Sequence, residues 1–246
     1  MDKPLIFAYD AGRPEAEGIA GCLGTSLAEH EERIFQDGER KVRPLVDPRG
    51  RDALVVQSLY DGPSRSVHDK LCDVLLFAGT LKDSGAARVI LIAPYLCYAR
   101  QDRRTKPGEP LSLRYVAQLI EAAGVDAIVT LDVHNPAAFE NAFRIPTANI
   151  ECTELFAAHF GKALAKREGD NEANAIVRAD LGLKPPCKGA LENEQSIPEW
   201  QDGARQREFA RTKRRAGAEA EHLVGAKFAE VREALDAEDS RRLEPI

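Results

Sequence analysis

The chain has 246 residues, a formal charge of -6 and 43% hydrophobic residues, enough to bury one large core or two modest ones and too apolar to read as disordered overall. The acidic balance, with a pI near 5.5, argues against nucleic acid as a partner and leaves a small phosphorylated molecule as the anion that local Arg and Lys clusters would hold. Five cysteines (Cys22, Cys72, Cys97, Cys152, Cys187) form no CxxC pair, and no apolar run approaches the roughly 20 residues of a membrane span. Reduced thiols, a cytoplasmic location and no membrane partner are therefore expected.

In chain order, the spacing predicts strands over Leu5 to Tyr9, Ala53 to Gln57, Arg88 to Ala93 and Ala127 to Leu131. Between them, Glu15 to Gly24, His68 to Ser84 and Leu111 to Ala123 carry apolar residues at three- and four-residue spacing. Gly85 and Gly124 stand just past the last two as helix stops. Strands alternating with amphipathic helices predict an α/β fold with a mostly parallel sheet flanked by helices. One more helix (Thr153 to Lys166) and one more strand (Asn174 to Arg178) continue the pattern. Beyond Asp180 the β-branched aliphatics are reduced to Ile197, Val224, Val231 and Ile246. Buried parallel strands need near-continuous apolar runs, so this last segment is expected to be helical and solvated or poorly folded.

Three segments carry chemistry. Tyr95 and Tyr98 leave a buried strand and lead into Arg100, Gln101, Asp102, Arg103 and Arg104. Three guanidiniums in five residues suit a polyphosphate, because each makes bidentate, charge-assisted hydrogen bonds; the plain alternative is a solvated loop paired with helical carboxylates. Asp132 and His134 follow the next strand, an acid and an imidazole one residue apart that can face one cleft and serve a divalent metal or a phosphate. The alternative there is an Asp capping a turn beside an ordinary His. Phe35, Asp37, Gly38 and Glu39 form a turn whose Asp-Gly also fits the tip of a plain β-hairpin.

In this order and spacing, Phe-x-Asp-Gly-Glu near residue 35, Tyr-x-x-Tyr-Ala-Arg-Gln-Asp-Arg near residue 100 and Asp-x-His near residue 133 resemble the ribose-phosphate pyrophosphokinase family. The likeness runs from about Asp10 to Arg178. It implies a phosphoribosyltransferase-like α/β fold with an N-terminal domain over residues 1–150 and an incomplete second α/β domain over 151–246. The activity it implies is transfer of the diphosphoryl group of ATP to ribose 5-phosphate, giving phosphoribosyl pyrophosphate and AMP, with Mg²⁺ as cofactor. It further implies a homo-oligomer in which Phe35, Asp37 and Glu39 reach a neighbouring subunit's adenine pocket. Arg100, Gln101 and His134 would contact ATP with Asp102 nearby, and Asp132 and His134 would hold the metal.

The second half departs from the family pattern. Arg178-Ala179-Asp180-Leu181-Gly182 stands where a Ser-Pro-Asp-x-Gly-Gly segment is expected, with Asp180 as a further metal contact. Thr212-Lys213-Arg214-Arg215 resembles the catalytic flap, with Lys213 and Arg215 neutralising the transferring group. The Thr-Gly-Gly-Thr loop that cradles a sugar phosphate through backbone N–H groups has no counterpart, since the chain contains no Gly-Gly pair. A non-catalytic, nucleotide-binding or regulatory family member is therefore the alternative to a working enzyme. A phosphoribosyltransferase needs the same missing loop, and a frame-shifted or truncated reading after about Arg178 would also account for its absence.

Overall fold

A computed structural model describes residues 3–9, 12–62 and 65–153. In chain order these form β1 (Leu5–Ala8), α1 (Arg13–Cys22), β2 (His30–Ile34), β3 (Arg40–Pro44), β4 (Asp52–Val56), α2 (Val67–Asp83), β5 (Arg88–Ala93), α3 (Ser112–Ala122), β6 (Ala127–Leu131), α4 (Pro136–Ala142) and β7 (Thr147–Ile150). The apolar runs of β1, β4, β5 and β6 show no polar alternation because both faces of their sheet are covered. Their order is β1-β4-β5-β6-β7, every pair parallel.

Alternate residues feed two cores. Phe7, Val55, Leu91 and Ile128 face α2, α3 and α4 with Phe77, Leu81, Val116 and Phe139. Ile6, Leu54, Ile90 and Val129 face α1 with Ala16 and Ile19. Full burial of each such aliphatic side chain is worth about 1.5–3 kcal/mol, an upper bound because the unfolded chain already hides part of it. Where α1 begins, the backbone passes so close to β4 that a Cβ on Gly12 would meet the Val56 carbonyl oxygen at 2.6 Å, which explains a glycine there.

Helix ends follow local chemistry. Ser66 and Asp69 form a reciprocal capping box at the start of α2. Gly85 and Gly124 close α2 and α3 with φ of 87° and 89°, the left-handed geometry expected of helix stops. The observed strand and helix bounds lie within two residues of those expected from the sequence. Two elements were not foreseen. Pro136–Ala142 is helical because Pro136 suits the first turn and the Asn135 side chain accepts a hydrogen bond from Ala138 N–H. Thr147–Ile150 pairs with β6 although its first three residues are only half-buried.

The hairpin of β2 and β3 is a separate antiparallel sheet with His30 opposite Pro44 and Ile34 opposite Arg40. Its inward face packs on α2 through Val42, and His30 joins the rings of Phe7, Tyr9 and Phe77 at 5.7–6.1 Å. The expected second α/β domain, the helix continuing past Thr153 and the strand Asn174 to Arg178 lie outside the described residues. No helix among the described residues is long and apolar enough to cross a membrane.

Candidate active site

Parallel strands end together at one edge of the sheet, where the following loops are free to carry function. Here the loops after β5 and β6 meet. Asn135 Nδ2 donates to Asp102 Oδ2 at 2.7 Å, joining the arginine-bearing loop to the acid-imidazole loop. The latter is held on its other side by Asp132 N–H to the Ile150 carbonyl (3.0 Å) and Val133 N–H to Asn149 Oδ1 (2.9 Å). Asn135 thus caps α4 with its oxygen and tethers Asp102 with its nitrogen.

Among the described residues, Tyr98 (φ 61°) and Asp132 (φ 40°) are the two non-glycine residues with positive φ. Each stands in one of these loops. Left-handed backbone costs about 1–3 kcal/mol per residue and persists where surroundings over-determine it, most often at functional sites. Tyr98 is held by its hydroxyl, 2.6 Å from His68 Nε2 at the start of α2. The turn continues with Gln101 N–H donating to the Tyr98 carbonyl at 2.9 Å, and Ser112 Oγ–H donates to Gln101 Oε1. Arg100 sits at the crest of that turn, exposed.

Among the described residues no ion pair occupies Arg100, Arg103 or Arg104. The loop beyond them is folded around Glu109, whose carboxylate accepts from Thr105 N–H, Thr105 Oγ–H and Lys106 N–H at 2.8–3.0 Å. Those bonds, that from the Thr105 hydroxyl foremost, hold the Glu109 carboxyl below its ordinary pKa. Arg104 donates to the Glu109 carbonyl oxygen. The guanidiniums are thus presented by a built loop and are not spent on helical carboxylates.

Between α3 and α4, next to Asp102, lies a cleft of about 250 Å³ lined in part by Leu113, Arg114, Asn141 and Arg144. Sequence reasoning missed Asn135, His68, Ser112, Arg114 and Arg144. The Asn before Pro136 was a recognisable helix-cap signal, whereas His68 meets Tyr98 only through the fold. Asp132 and His134 are both exposed. No group of three or more His, Cys, Asp or Glu side chains converges as a metal cage among the described residues.

Phe35, Asp37 and Glu39 occupy the hairpin tip, which closes on itself. Phe35 N–H donates to the Glu39 carbonyl (2.8 Å), Gly38 N–H to the Phe35 carbonyl (3.0 Å) and Glu39 N–H to Asp37 Oδ1 (3.1 Å). Ile34 beside it is 63% exposed although it shares the inward face with buried Val42, so the tip overhangs the body. Asp180, Lys213 and Arg215 lie outside the described residues.

Residues 5–124 match the family model for the N-terminal domain of ribose phosphate pyrophosphokinase. The chain is 33% identical over 181 residues to a ribose-phosphate pyrophosphokinase of Ureaplasma parvum, covering 74% of this chain and 52% of that one. It is also 33% identical over 195 residues to ribose-phosphate pyrophosphokinase 1 of Streptococcus pyogenes, covering 79% and 56%. The chain spans a little over half the length of these curated relatives. A crystal structure of phosphoribosylpyrophosphate synthetase from Mycobacterium smegmatis superposes with a TM-score of 0.64 at 29% identity, covering 75% of this chain and 63% of that one. The mostly parallel sheet with flanking helices is the fold of that enzyme, and through residues 5–124 the chain belongs to the ribose-phosphate pyrophosphokinase family.

Proposed function

We propose that this protein is a ribose-phosphate diphosphokinase that transfers the diphosphoryl group of ATP to ribose 5-phosphate, working as a homo-oligomer in the cytoplasm. The observation that carries the reading is the meeting of two strained loops at the carboxyl edge of the sheet, one offering arginines that form no ion pair among the described residues and the other an acid and an imidazole. The anomeric hydroxyl of ribose 5-phosphate attacks the β-phosphorus of ATP, and AMP leaves from the opposite side. Such chemistry asks the protein for alignment and for positive charge over developing negative charge.

In that scheme Arg100 and Gln101 orient the nucleotide, and Asp102, tethered by Asn135, fixes their loop. Mg²⁺ fits the donor set at the second loop, since it takes one or two carboxylates and otherwise keeps water and substrate phosphates. It would neutralise phosphate charge there. The exposed Asp132 carboxylate is the hard oxygen ligand, and the His134 imidazole is better suited to a phosphate oxygen. Lys213, Arg215 and Asp180 are assigned the flap and second metal contact by family likeness alone. Phe35, Asp37 and Glu39 reach the adenine pocket of a neighbouring subunit, a role favoured by the overhang of Ile34 and Phe35.

Purified full-length protein with Mg²⁺, inorganic phosphate and ATP is expected to form AMP only when ribose 5-phosphate is added. Absence of sugar-dependent AMP would reject the enzymatic reading, and ATP binding without turnover would point to a regulatory subunit. Arg100→Ala is expected to lower kcat/KM for ATP roughly ten- to hundredfold, the usual cost of deleting a charge-assisted contact.

A further inference from the structure

Beneath the overhanging hairpin lies a ring of charge that the proposed reaction does not use. Asp73, in the middle of α2, is 2% exposed. Its carboxylate meets two guanidiniums, Arg40 Nε at 3.1 Å from Oδ1 and Arg65 Nη2 against Oδ2. Both arginines also reach Glu32 Oε2, at 3.1 and 3.3 Å, and Glu32 Oε1 lies 3.2 Å from His30 Nε2. Tyr9 closes the ring by donating its hydroxyl to the Asp73 backbone carbonyl at 3.1 Å, with Arg65 5.4 Å from the centre of its ring.

Two anions and two cations balance there. The Arg40 and Arg65 side chains are only 17% and 14% exposed. Buried charges are tolerated when paired on all sides, and removing one partner of such a group is far costlier than the group's own net contribution. A ring of this kind specifies one arrangement of the parts it joins more than it adds stability. The parts joined are the hairpin (Glu32, Arg40), α2 (Asp73) and the segment between β4 and α2 (Arg65). Arg40 directly follows Glu39, and the tip over 35–39 is internally hydrogen-bonded, so the ring sets the angle at which the whole tip leaves the body.

We propose that Asp73 and Arg65 are positioning residues for the hairpin tip, fixing the reach of Phe35, Asp37 and Glu39 toward the nucleotide of a neighbouring subunit. This rests on the shared-site reading above. Arg65 touches no substrate in this scheme and acts through Arg40 and Asp73. Because the tip contributes adenine binding and takes no part in the bond changes, loosening it affects ground state and transition state alike, which raises KM and spares kcat.

The test uses full-length wild type, Arg65→Met, Arg65→Lys and Asp73→Asn. Steady-state ATP kinetics at saturating ribose 5-phosphate are read beside amide hydrogen exchange over residues 30–45 and over α3. Arg65→Met is expected to speed exchange in residues 30–45 about tenfold or more, leave α3 unchanged and raise KM for ATP about fivefold, with kcat within about twofold. Arg65→Lys, which keeps the charge, is expected to recover part of the KM. Should Asp73→Asn fail to fold, Arg65→Met alone decides. Unchanged exchange over 30–45, or faster exchange with unchanged KM in an active enzyme, overturns the positioning role. A wild type that forms no AMP shows a different pattern: the diphosphokinase reading falls and the positioning role with it, whatever the exchange data show.

Discussion

Asn135 shows how one side chain serves stability and function at once. Its oxygen caps α4 and its nitrogen holds Asp102. Asn135→Ala removes both and is expected to cost about 1 kcal/mol in urea denaturation, the usual value of a lost N-cap, while raising KM for ATP. Asn135→Asp keeps a good cap but sets a second carboxylate against Asp102. Stability near the wild type combined with a KM still raised about three- to tenfold would assign the binding effect to the tether. An unchanged KM in Asn135→Asp would remove the tether from the site. Thiols divide equally clearly. Burial pushes the Cys97 thiol up to about 11, and Cys97 is 1% exposed, whereas Cys72 lies on the exposed side of α2. The thiolate is the reacting species, so an alkylating reagent near neutral pH is expected to modify Cys72 and leave Cys97 untouched until the protein unfolds, as read by mass spectrometry of digested protein.

Elements were legible where burial alone decided them. Arg88 to Ala93 and Ala127 to Leu131 were bounded from sequence as they stand in the structure, because a strand covered on both faces must be apolar throughout. The hairpin was visible only at its Asp-Gly tip. Its inward face carries Glu32 and Arg40, charges that look like solvent residues in the sequence; they pair with each other, and Arg40 also meets the buried Asp73. The half-exposed β7 and the seven-residue α4 are too short to show a period. Site reading followed the same rule: Arg100 and Asp132 stand directly after strands, whereas His68 reaches Tyr98 from thirty residues away. The hairpin's charges also make its docking sensitive to acid. Burial raises the Glu32 pKa, but the His30 hydrogen bond and the charges of His30, Arg65 and Arg40 together outweigh it and leave the carboxyl below its ordinary value. A carboxylate with a lowered folded pKa contributes stability above the unfolded value and loses it as pH falls past that value. The urea midpoint of the wild type is therefore expected to fall more steeply than that of Glu32→Gln as pH drops from about 5 to about 3. Parallel curves would show that Glu32 carries no such linkage.

At the scale of the whole molecule, the described residues place the proposed catalytic loops and the hairpin tip on different sheets. The loops leave the carboxyl edge of the parallel sheet, while the tip extends from a two-stranded sheet packed on α2 and makes its hydrogen bonds within itself. Exposed Ile34 and Phe35 at such a tip suit insertion into a second copy of the chain, since isolated apolar side chains gain most when they enter a partner's pocket. If each nucleotide site takes its tip from one subunit and its loops from another, defects in the two parts must complement. At ATP well below the KM of either variant, Phe35→Ala and Arg100→Ala are each expected to keep about a tenth or less of the wild-type rate. When the two are unfolded together and refolded as a one-to-one mixture, about one quarter of the sites would combine an intact tip with intact loops, because the two contributions assort independently in a symmetric assembly. Activity near a quarter of the wild type, rising from about a tenth or less in either parent, would locate the tip and the loops of one site on different chains. Activity no higher than the parents, with hybrid assemblies verified by mass spectrometry, would place each site within a single chain and assign the overhanging tip another role.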